Sequence, residues 1–441
     1  MQVKKLLFIF LFLVFFMEVF AQDRFPKPDF ESGYQYPEMH YAVPNEILWT
    51  TVDIILLTAL MSFVAWAVVK KRIRKPVIWV SVISVAYFGF FRKGCVCSIG
   101  AIQNVALALA DNTYVMPLSV LLFFMLPVLF AFLFGRVFCA GVCPFGALQE
   151  LVNIRNYRLS RAVTSVLGIF PWIYLIFAVL FAVTQSRFII CRFDPFVGIF
   201  RMGGDFALIM FGILLLVAAI FTGRPFCRFL CPYGALLGLF SRVSIWKTEL
   251  TKQTCINCDL CHNACPVDAI KPPYDNKLKE SRAQGVRRIL LYFTVLPLMI
   301  LSGALLMRHV SDELSRVHKD VRLYDEILSF ELRVSGLNTV PETLNLKPET
   351  QEALSVDLEA FYGQGGTIED LTQKYNSIRA EFSFYSTVAG AFIGWVIGLT
   401  LIGLSVKRTR KLYEIDHAAC VDCGRCFSYC PQNIKGTSKN P

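Results

Sequence analysis

Apolar residues in this chain gather into long unbroken blocks instead of alternating with polar ones. The blocks Ile47–Val69, Val115–Phe134, Ala162–Val183, Ile289–Met307 and Val388–Val406 have the roughly 17–25 residues that cross a hydrocarbon layer. Two shorter blocks, Val77–Phe91 and Phe206–Phe221, are bounded by polar residues on both sides. Backbone groups inside a bilayer have no water to bond, so each block is predicted as a helix, and the chain as a seven-span protein. Ahead of them come Lys4-Lys5, an apolar stretch from Leu6 to Phe16, and Val19-Phe20-Ala21. This order predicts a signal peptide over residues 1–21, cut before Gln22, and an outward-facing segment over 22–46.

Composition agrees with the pattern. Hydrophobic residues make up 55% of the 441 positions and charged residues only 17%, against about a quarter in soluble proteins, which excludes a disordered chain and argues against a purely soluble enzyme. The net charge of +11 invites a nucleic-acid reading, but the placement of the cations argues otherwise. With seven spans, the pieces predicted to face inward hold 27 Lys and Arg and the outward pieces 15, as the positive-inside rule expects. Lys70-Lys71-Arg72 and Lys407-Arg408 are the sharpest inner markers. The charge therefore reports topology, and no nucleic-acid partner is expected. The layout predicts a multi-pass protein of the cytoplasmic membrane with its mature N-terminus periplasmic and its C-terminus cytoplasmic.

Within that layout, residues 47–250 form a membrane domain, 251–288 and 407–441 are cytoplasmic, and 289–307 and 386–406 are the last two spans. The outward piece 308–385 is acidic, with 14 Asp and Glu against 8 Lys and Arg between Arg308 and Phe384. Its apolar positions recur at helical spacing and Thr367-Ile368-Glu369-Asp370 resembles a helix start, so a small helical periplasmic domain is expected, with His309 and His318 on its surface. An acidic face could dock a basic partner; a solvated surface explains it equally well.

Fifteen cysteines decide the chemistry. Cys255-x2-Cys258-x2-Cys261-x3-Cys265-Pro266 and Cys420-x2-Cys423-x2-Cys426-x3-Cys430-Pro431 both have the bacterial ferredoxin spacing, in which the fourth cysteine of each motif serves the other cluster. One [4Fe–4S] cluster is thus assigned to Cys255, Cys258, Cys261 and Cys430, the other to Cys420, Cys423, Cys426 and Cys265. Zinc prefers two separated cysteine pairs, and disulfides do not suit a reducing compartment. Cys258-Asp-Leu-Cys261-His262 spells a c-haem attachment site, but the ferredoxin motif needs both cysteines.

A third set comes from an internal repeat. Gly135-Arg136-Val-Phe138-Cys139-x3-Cys143-Pro144-Phe-Gly146-Ala147-Leu148 recurs as Gly223-Arg224-Pro-Phe226-Cys227-x3-Cys231-Pro232-Tyr-Gly234-Ala235-Leu236, identical at nine of fourteen positions. Cysteines at i and i+4 share one face of a helical turn, so the two copies together predict a four-thiolate site, a further iron–sulfur centre; buried structural cysteines are the alternative.

Cys95, Cys97 and Cys191 remain, all predicted at the outer face. Cys97-Ser-Ile-Gly100-Ala101-Ile-Gln103 echoes Cys143-Pro-Phe-Gly146-Ala147-Leu-Gln149, and Cys191-Arg192-Phe193-Asp194-Pro195 echoes Cys227-Arg228-Phe229-Leu230-Cys231-Pro232. Two readings stand side by side: a fourth metal centre held by Cys95, Cys97 and Cys191 with Asp194 or another non-cysteine group, and an outer-face disulfide or unused thiols in an oxidising compartment.

The paired Gly-Arg-x-Phe-Cys-x3-Cys-Pro-x-Gly-Ala-Leu repeats followed by ferredoxin motifs resemble the NosR/NapH-type polyferredoxin membrane proteins. Lys93-Gly94-Cys95-Val-Cys97-Ser-Ile-Gly100, Cys191-Arg-Phe-Asp194-Pro195-Phe and Arg24-Phe25-Pro26-x-Pro28-x-Phe30-Glu31-Ser32-Gly33-Tyr34 lean towards the NosR side. The resemblance implies transmembrane electron transfer associated with periplasmic nitrous-oxide or nitrate reduction. It also implies a large outer flavin-binding domain, for which the 25 or so residues before the first span leave no room. A separate periplasmic flavoprotein or reductase is then the expected acceptor, a cytoplasmic protein the donor, and membrane lipid the surroundings. The expected fold is an α-helical polytopic membrane protein carrying a bacterial-ferredoxin-like two-cluster module. Two other functions stay open: a quinol-coupled carrier, for which only Asp53 could mark a site although an ordinary interfacial acid explains that residue equally well, and an accessory factor maturing or reductively activating a periplasmic metalloenzyme such as nitrous oxide reductase. No Ser/His/Asp or Cys/His catalytic set and no phosphate loop is present.

Overall fold

The computed structural model describes residues 47–94, 97–250, 255–274, 282–334, 367–406 and 409–432. Leu48–Pro441 group as one unit, and of the preceding unit only Ile47 is described. The signal peptide and the segment 22–46 predicted above lie outside the described residues, as does Cys95.

All seven apolar blocks are helical. The first forms α1 (Ile47–Ala65), prolonged by a π-helical turn over Trp66–Lys70. The second forms α2 (Lys75–Ser84), which likewise ends in a π-helical stretch, Val85–Phe91. After α3 (Ala101–Ala110) comes α4 (Leu118–Phe134), which stops at Gly135, where φ is +84° and a side chain would be strained. Four helical stretches are long and apolar enough to cross a membrane: Ile47–Lys70, Arg161–Val183, Ala283–Ser315 and Ile368–Ser405. A fifth candidate is the pair Pro195–Arg201 and Phe206–Phe221, bent by 101°. Lys75–Phe91 and Leu118–Phe134 are apolar but shorter, so by length alone four to five spans stand where seven blocks were read.

The last two apolar blocks belong to helices much longer than themselves, α14 (Arg282–Ser315) and α16 (Ile368–Ser405). At 1.5 Å per residue, 34 and 38 residues run to about 50 Å or more, well beyond a hydrocarbon core of about 30 Å. The edges at Met307 and Val388 are therefore not helix ends. The two helices touch backbone to backbone, since a Cβ on Gly303, Gly390 or Gly394 would collide with main-chain atoms of the opposite helix. Small residues give membrane helices this close approach. Above the apolar region, Arg379 pairs with Asp312 (2.6 Å) and Tyr324 of α15 (Lys319–Val334) stacks on Tyr375 of α16 at 4.2 Å.

His318 corrects an expectation. His309 is exposed, but His318 is buried, and its Nδ1 accepts the Asp320 N–H (3.2 Å) at the start of α15. An acceptor at that position satisfies one of the free donors of a helix start, which explains a buried imidazole in an acidic segment. Burial holds its pKa below the usual 6.5, against the opposing pull of Asp320. A proton on Nδ1 abolishes the acceptor, so the cap is intact above pH 6.5 and is lost as pH falls through the depressed folded value. Amide exchange of residues 319–322, corrected for intrinsic rates, should accelerate on acidification below about pH 6. The same acceleration in His318→Asn would assign the effect elsewhere.

The two ferredoxin motifs, separated by 154 residues of chain between Cys265 and Cys420, are brought together by a two-stranded antiparallel sheet. β1 (Ile270–Lys271) pairs with β2 (Glu414–Ile415), with Ile270 opposite Ile415, and a bridge joins Tyr274 to Arg410. The α14/α16 hairpin makes this possible, because it returns the chain to the side from which it left.

Candidate metal centres

In the first repeat Cys139 lies in the π-helical turn Phe138–Val142, and Cys143 precedes α5 (Pro144–Val152). In the second, Cys227 lies in α11 (Pro225–Phe229) and Cys231 precedes α12 (Pro232–Ser241). The expectation of one shared helical turn is corrected here. Cys143 and Cys231 are extended, with ψ of 119° and 111°, because a following proline disfavours the α region. The break sets each second sulfur over a fresh helix N-terminus, where the Gly234 N–H donates to Cys231 Sγ (3.2 Å). All four thiols are buried and within Coulombic reach of one another.

The repeats interlock as pseudo-equivalents. Arg136 of the first packs on the second, its Nη2 3.0 Å from where a Gly234 Cβ would stand; Arg224 of the second packs on the first, its Nη1 3.5 Å from the corresponding point at Gly146. Arg136 Nη2 also approaches Cys139 Sγ (3.8 Å), and Arg224 donates to the carbonyls of Cys139 and Ala140. The repeated glycine before each arginine receives one ferredoxin motif: Gly135 abuts Asp422, and Gly223 abuts Pro266 so closely that a Cβ would collide with it. Thus both members of the Gly-Arg dipeptide, read from the sequence only as a repeat marker, have work in the packing.

The two ferredoxin motifs meet. One pocket is lined by Cys420, Cys423 and Cys426 of the second motif together with Cys265 of the first. Cys261 is within Coulombic reach of Cys255, Cys258 and also Cys430. α13 (Leu260–Ala264) and α17 (Arg425–Tyr429) pack together, each starting from a left-handed residue, Asp259 and Gly424. Burial pushes the Cys261 and Cys423 thiols up to about 11. A shell that disfavours thiolate to this degree needs compensating positive charge.

Glu150 organises that charge. It is buried and receives three guanidiniums: Arg74 (3.0 Å), Arg224 (3.1 Å) and Arg425 (2.9 Å). They come from the loop after the first helix, the second repeat and the second ferredoxin motif, so one carboxylate ties three parts of the chain together. Arg425 also donates to Asn153 Oδ1 (2.6 Å), and Arg228 pairs with Asp268 (2.8 Å) of the first motif. Three cations on one anion leave positive charge beside Cys423 and Cys227, both within reach of Arg224. Sequence reasoning missed Glu150, whose signal was an acidic residue at the end of an apolar repeat.

Of the remaining predicted residues, Cys97 and Cys191 converge: both sulfurs lie within 3.7 Å of the point a Gly100 Cβ would occupy. Asp194 is buried beside them and caps α9 (Pro195–Arg201), accepting the Phe196 N–H (3.0 Å). Asp53 is buried, paired with Arg92 (2.6 Å) and bonded by the Tyr87 hydroxyl (3.0 Å). Both contacts hold the first helix against the second, a structural role for this acid.

The residues fit iron–sulfur clusters better than single ions. Among the described residues no three His, Cys, Asp or Glu side chains stand close enough to hold one metal ion. A cubane instead spreads its thiolates over the corners of a cluster, and the thiols converge around shared space in the ferredoxin pocket and at the repeats.

Comparison with known proteins agrees. A family described as a 4Fe-4S binding domain matches residues 116–161 and 205–249, the two repeats, and a second of the same description matches 251–271, the first ferredoxin motif. The regulatory protein NosR of Stutzerimonas stutzeri is 30% identical over 220 residues, 46% of this chain and 30% of NosR. The protein NirI of Paracoccus denitrificans is 33% identical over 151 residues, 31% of this chain and 22% of its own length. The ferredoxin-type protein NapH of Haemophilus influenzae is 25% identical over 158 residues, 34% of this chain and 55% of its own. The match thus spans less than two thirds of each of these relatives. No solved structure matches.

Proposed function

Since this chain is a NosR/NapH-type polyferredoxin with membrane helices, we propose that it is an iron–sulfur electron-transfer protein that carries electrons across the cytoplasmic membrane. A cytoplasmic donor feeds the ferredoxin pair and a periplasmic flavoprotein or reductase takes the electrons. When bound, [4Fe–4S] clusters supply one-electron sites whose potentials follow net charge, hydrogen bonding and exposure. The chain's own part is to hold the thiols, exclude water and set the local charge. Two clusters belong at the Cys255/Cys258/Cys261/Cys430 and Cys420/Cys423/Cys426/Cys265 sets, and a third at Cys139, Cys143, Cys227 and Cys231.

The observation that carries this reading is contiguity. Cys426 lies within Coulombic reach of Cys261, which links the two ferredoxin sets, and Arg224 lies within reach of both Cys423 and Cys227, which links them to the repeats. Seven helices, with the ferredoxin motifs cytoplasmic and residues 308–385 periplasmic, agree with the bias of Lys and Arg in the sequence. Outward flow is favoured by the membrane potential by about 2.3 kcal/mol per 100 mV.

The full chain, loaded with iron and reconstituted into liposomes enclosing oxidised cytochrome c, should reduce that cytochrome when dithionite is added outside. Protein-free liposomes should not. Iron-loaded protein that leaves the enclosed cytochrome oxidised would sink the transmembrane reading while leaving its iron–sulfur character intact.

A further inference from the structure

The region around Cys97 and Cys191 is built as a second copy of the repeat site, down to side chains that no ligand count requires. Gln149 is fully buried, and its Oε1 accepts the N–H of Phe226, the residue before Cys227 (3.0 Å). Gln103 is also fully buried, and its Oε1 accepts the N–H of Ile190, the residue before Cys191 (2.8 Å). At Gly146 a Cβ would stand 3.5 Å from Cys227 Sγ, and at Gly100 it would stand 3.2 Å from Cys191 Sγ. The Gly100 N–H donates to Cys97 Sγ (3.2 Å), as the Gly234 N–H does to Cys231 Sγ.

Asp194 occupies the place of the last cysteine. Cys143, Cys231 and Asp194 each precede a proline that opens a helix, and each is extended, with ψ of 119°, 111° and 111°. One carboxylate oxygen of Asp194 caps its helix. The other, Oδ2, is buried and has no hydrogen-bond partner among the described residues, and the residue is only 4% exposed. A buried carboxylate oxygen left unpaired costs free energy unless something binds it. Both Cys97 and Cys191 lie within Coulombic reach of it.

We propose that Cys97, Cys191 and Asp194 hold an iron–sulfur cluster of their own, with two thiolates and a carboxylate as ligands. The module they copy is the one matched by a 4Fe-4S binding domain family, which favours a cluster over zinc or another single ion. Tyr174, on α7 (Phe170–Val183), places this site next to the repeat centre. Its buried hydroxyl has no hydrogen-bond partner among the described residues, and Cys231 as well as Asp194, Cys191 and Cys97 lie within its Coulombic reach. Cys191 is exposed, so this site has an edge that a soluble redox partner can approach. The inference rests on the electron-transfer reading and supplies its exit.

Iron and acid-labile sulfide per chain, with EPR during redox titration, test it on the anaerobically purified full chain. Cys191→Ser should lose one cluster's iron, about four atoms, and one EPR signal while the others persist. Asp194→Cys should keep the wild-type iron and change the signal and midpoint potential of that one centre. Wild-type iron in Cys191→Ser, an unchanged spectrum in Asp194→Cys, or a Cys97–Cys191 disulfide trapped by alkylation and mass spectrometry would overturn this site alone. A wild-type chain that binds no iron would overturn the electron-transfer reading beneath it.

Discussion

Replacing Glu150 by Gln should abolish accumulation of the protein in membranes or lower its stability by about 3–5 kcal/mol, the usual cost of removing one partner from a buried ion pair. Few single changes in this chain should cost more. Glu150 pairs with Arg74, Arg224 and Arg425, and Arg224 is completely buried. Without the carboxylate, three guanidiniums crowd a low-dielectric site that has lost the one carboxylate all three pair with. A loss of that size is a large share of the 5–15 kcal/mol that holds an ordinary domain folded. Glu150→Asp keeps the charge on a shorter arm and should be milder. Thermal unfolding of detergent-purified protein orders the three chains, with wild type above Glu150→Asp above Glu150→Gln. If Glu150→Gln melts with wild type, the three-cation arrangement is not what joins the second motif to the repeats. Any Glu150→Gln protein that does load iron should show a raised midpoint potential, because removing a negative charge near Cys423 favours the reduced state.

This prediction could not have been made from the sequence, and the reason is physical. Apolar blocks are local, and so are cysteine spacings, so the helices and the ferredoxin motifs are legible residue by residue. The Glu150 ion pairs join positions 74, 150, 224 and 425, and no periodicity encodes a contact across hundreds of residues. Proline chemistry is legible too: Pro144 and Pro232 disfavour a single helical turn through the paired cysteines, and the same rule explains Asp194 before Pro195. An acidic segment predicts a solvated His318, whereas a helix start creates a use for a buried acceptor. Gln103 and Gln149 stood in the quoted echo between modules, but their backbone partners, Ile190 and Phe226, lie more than seventy residues away. The echo in sequence was therefore a faint trace of a full duplication in three dimensions.

The second large effect concerns which cysteine serves which cluster. Cys430→Ser should remove the cluster held by Cys255, Cys258 and Cys261, although it lies in the other motif, and Cys265→Ser should remove the one held by Cys420, Cys423 and Cys426. The pocket that gathers Cys265 with the last three, and the reach of Cys261 to Cys430, are the grounds. Loss of one thiolate from a cubane site typically costs its iron outright, so each single variant should lose about four iron atoms. Paired variants then decide the assignment by their failure to add. Cys258→Ser with Cys430→Ser removes two ligands of one cluster and should lose no more iron than either change alone. Cys258→Ser with Cys265→Ser strikes both clusters and should lose about eight atoms. The opposite ranking of the two pairs would mean that each motif closes its own cluster. The antiparallel pairing of Ile270 with Ile415 would then join two self-contained modules, and the α14/α16 hairpin would no longer be needed to complete either site. If the predicted ranking holds, each cluster draws ligands from both sides of that hairpin. Neither could then assemble until residues 282–406 had brought the chain back, so a chain truncated after α14 should load neither ferredoxin cluster.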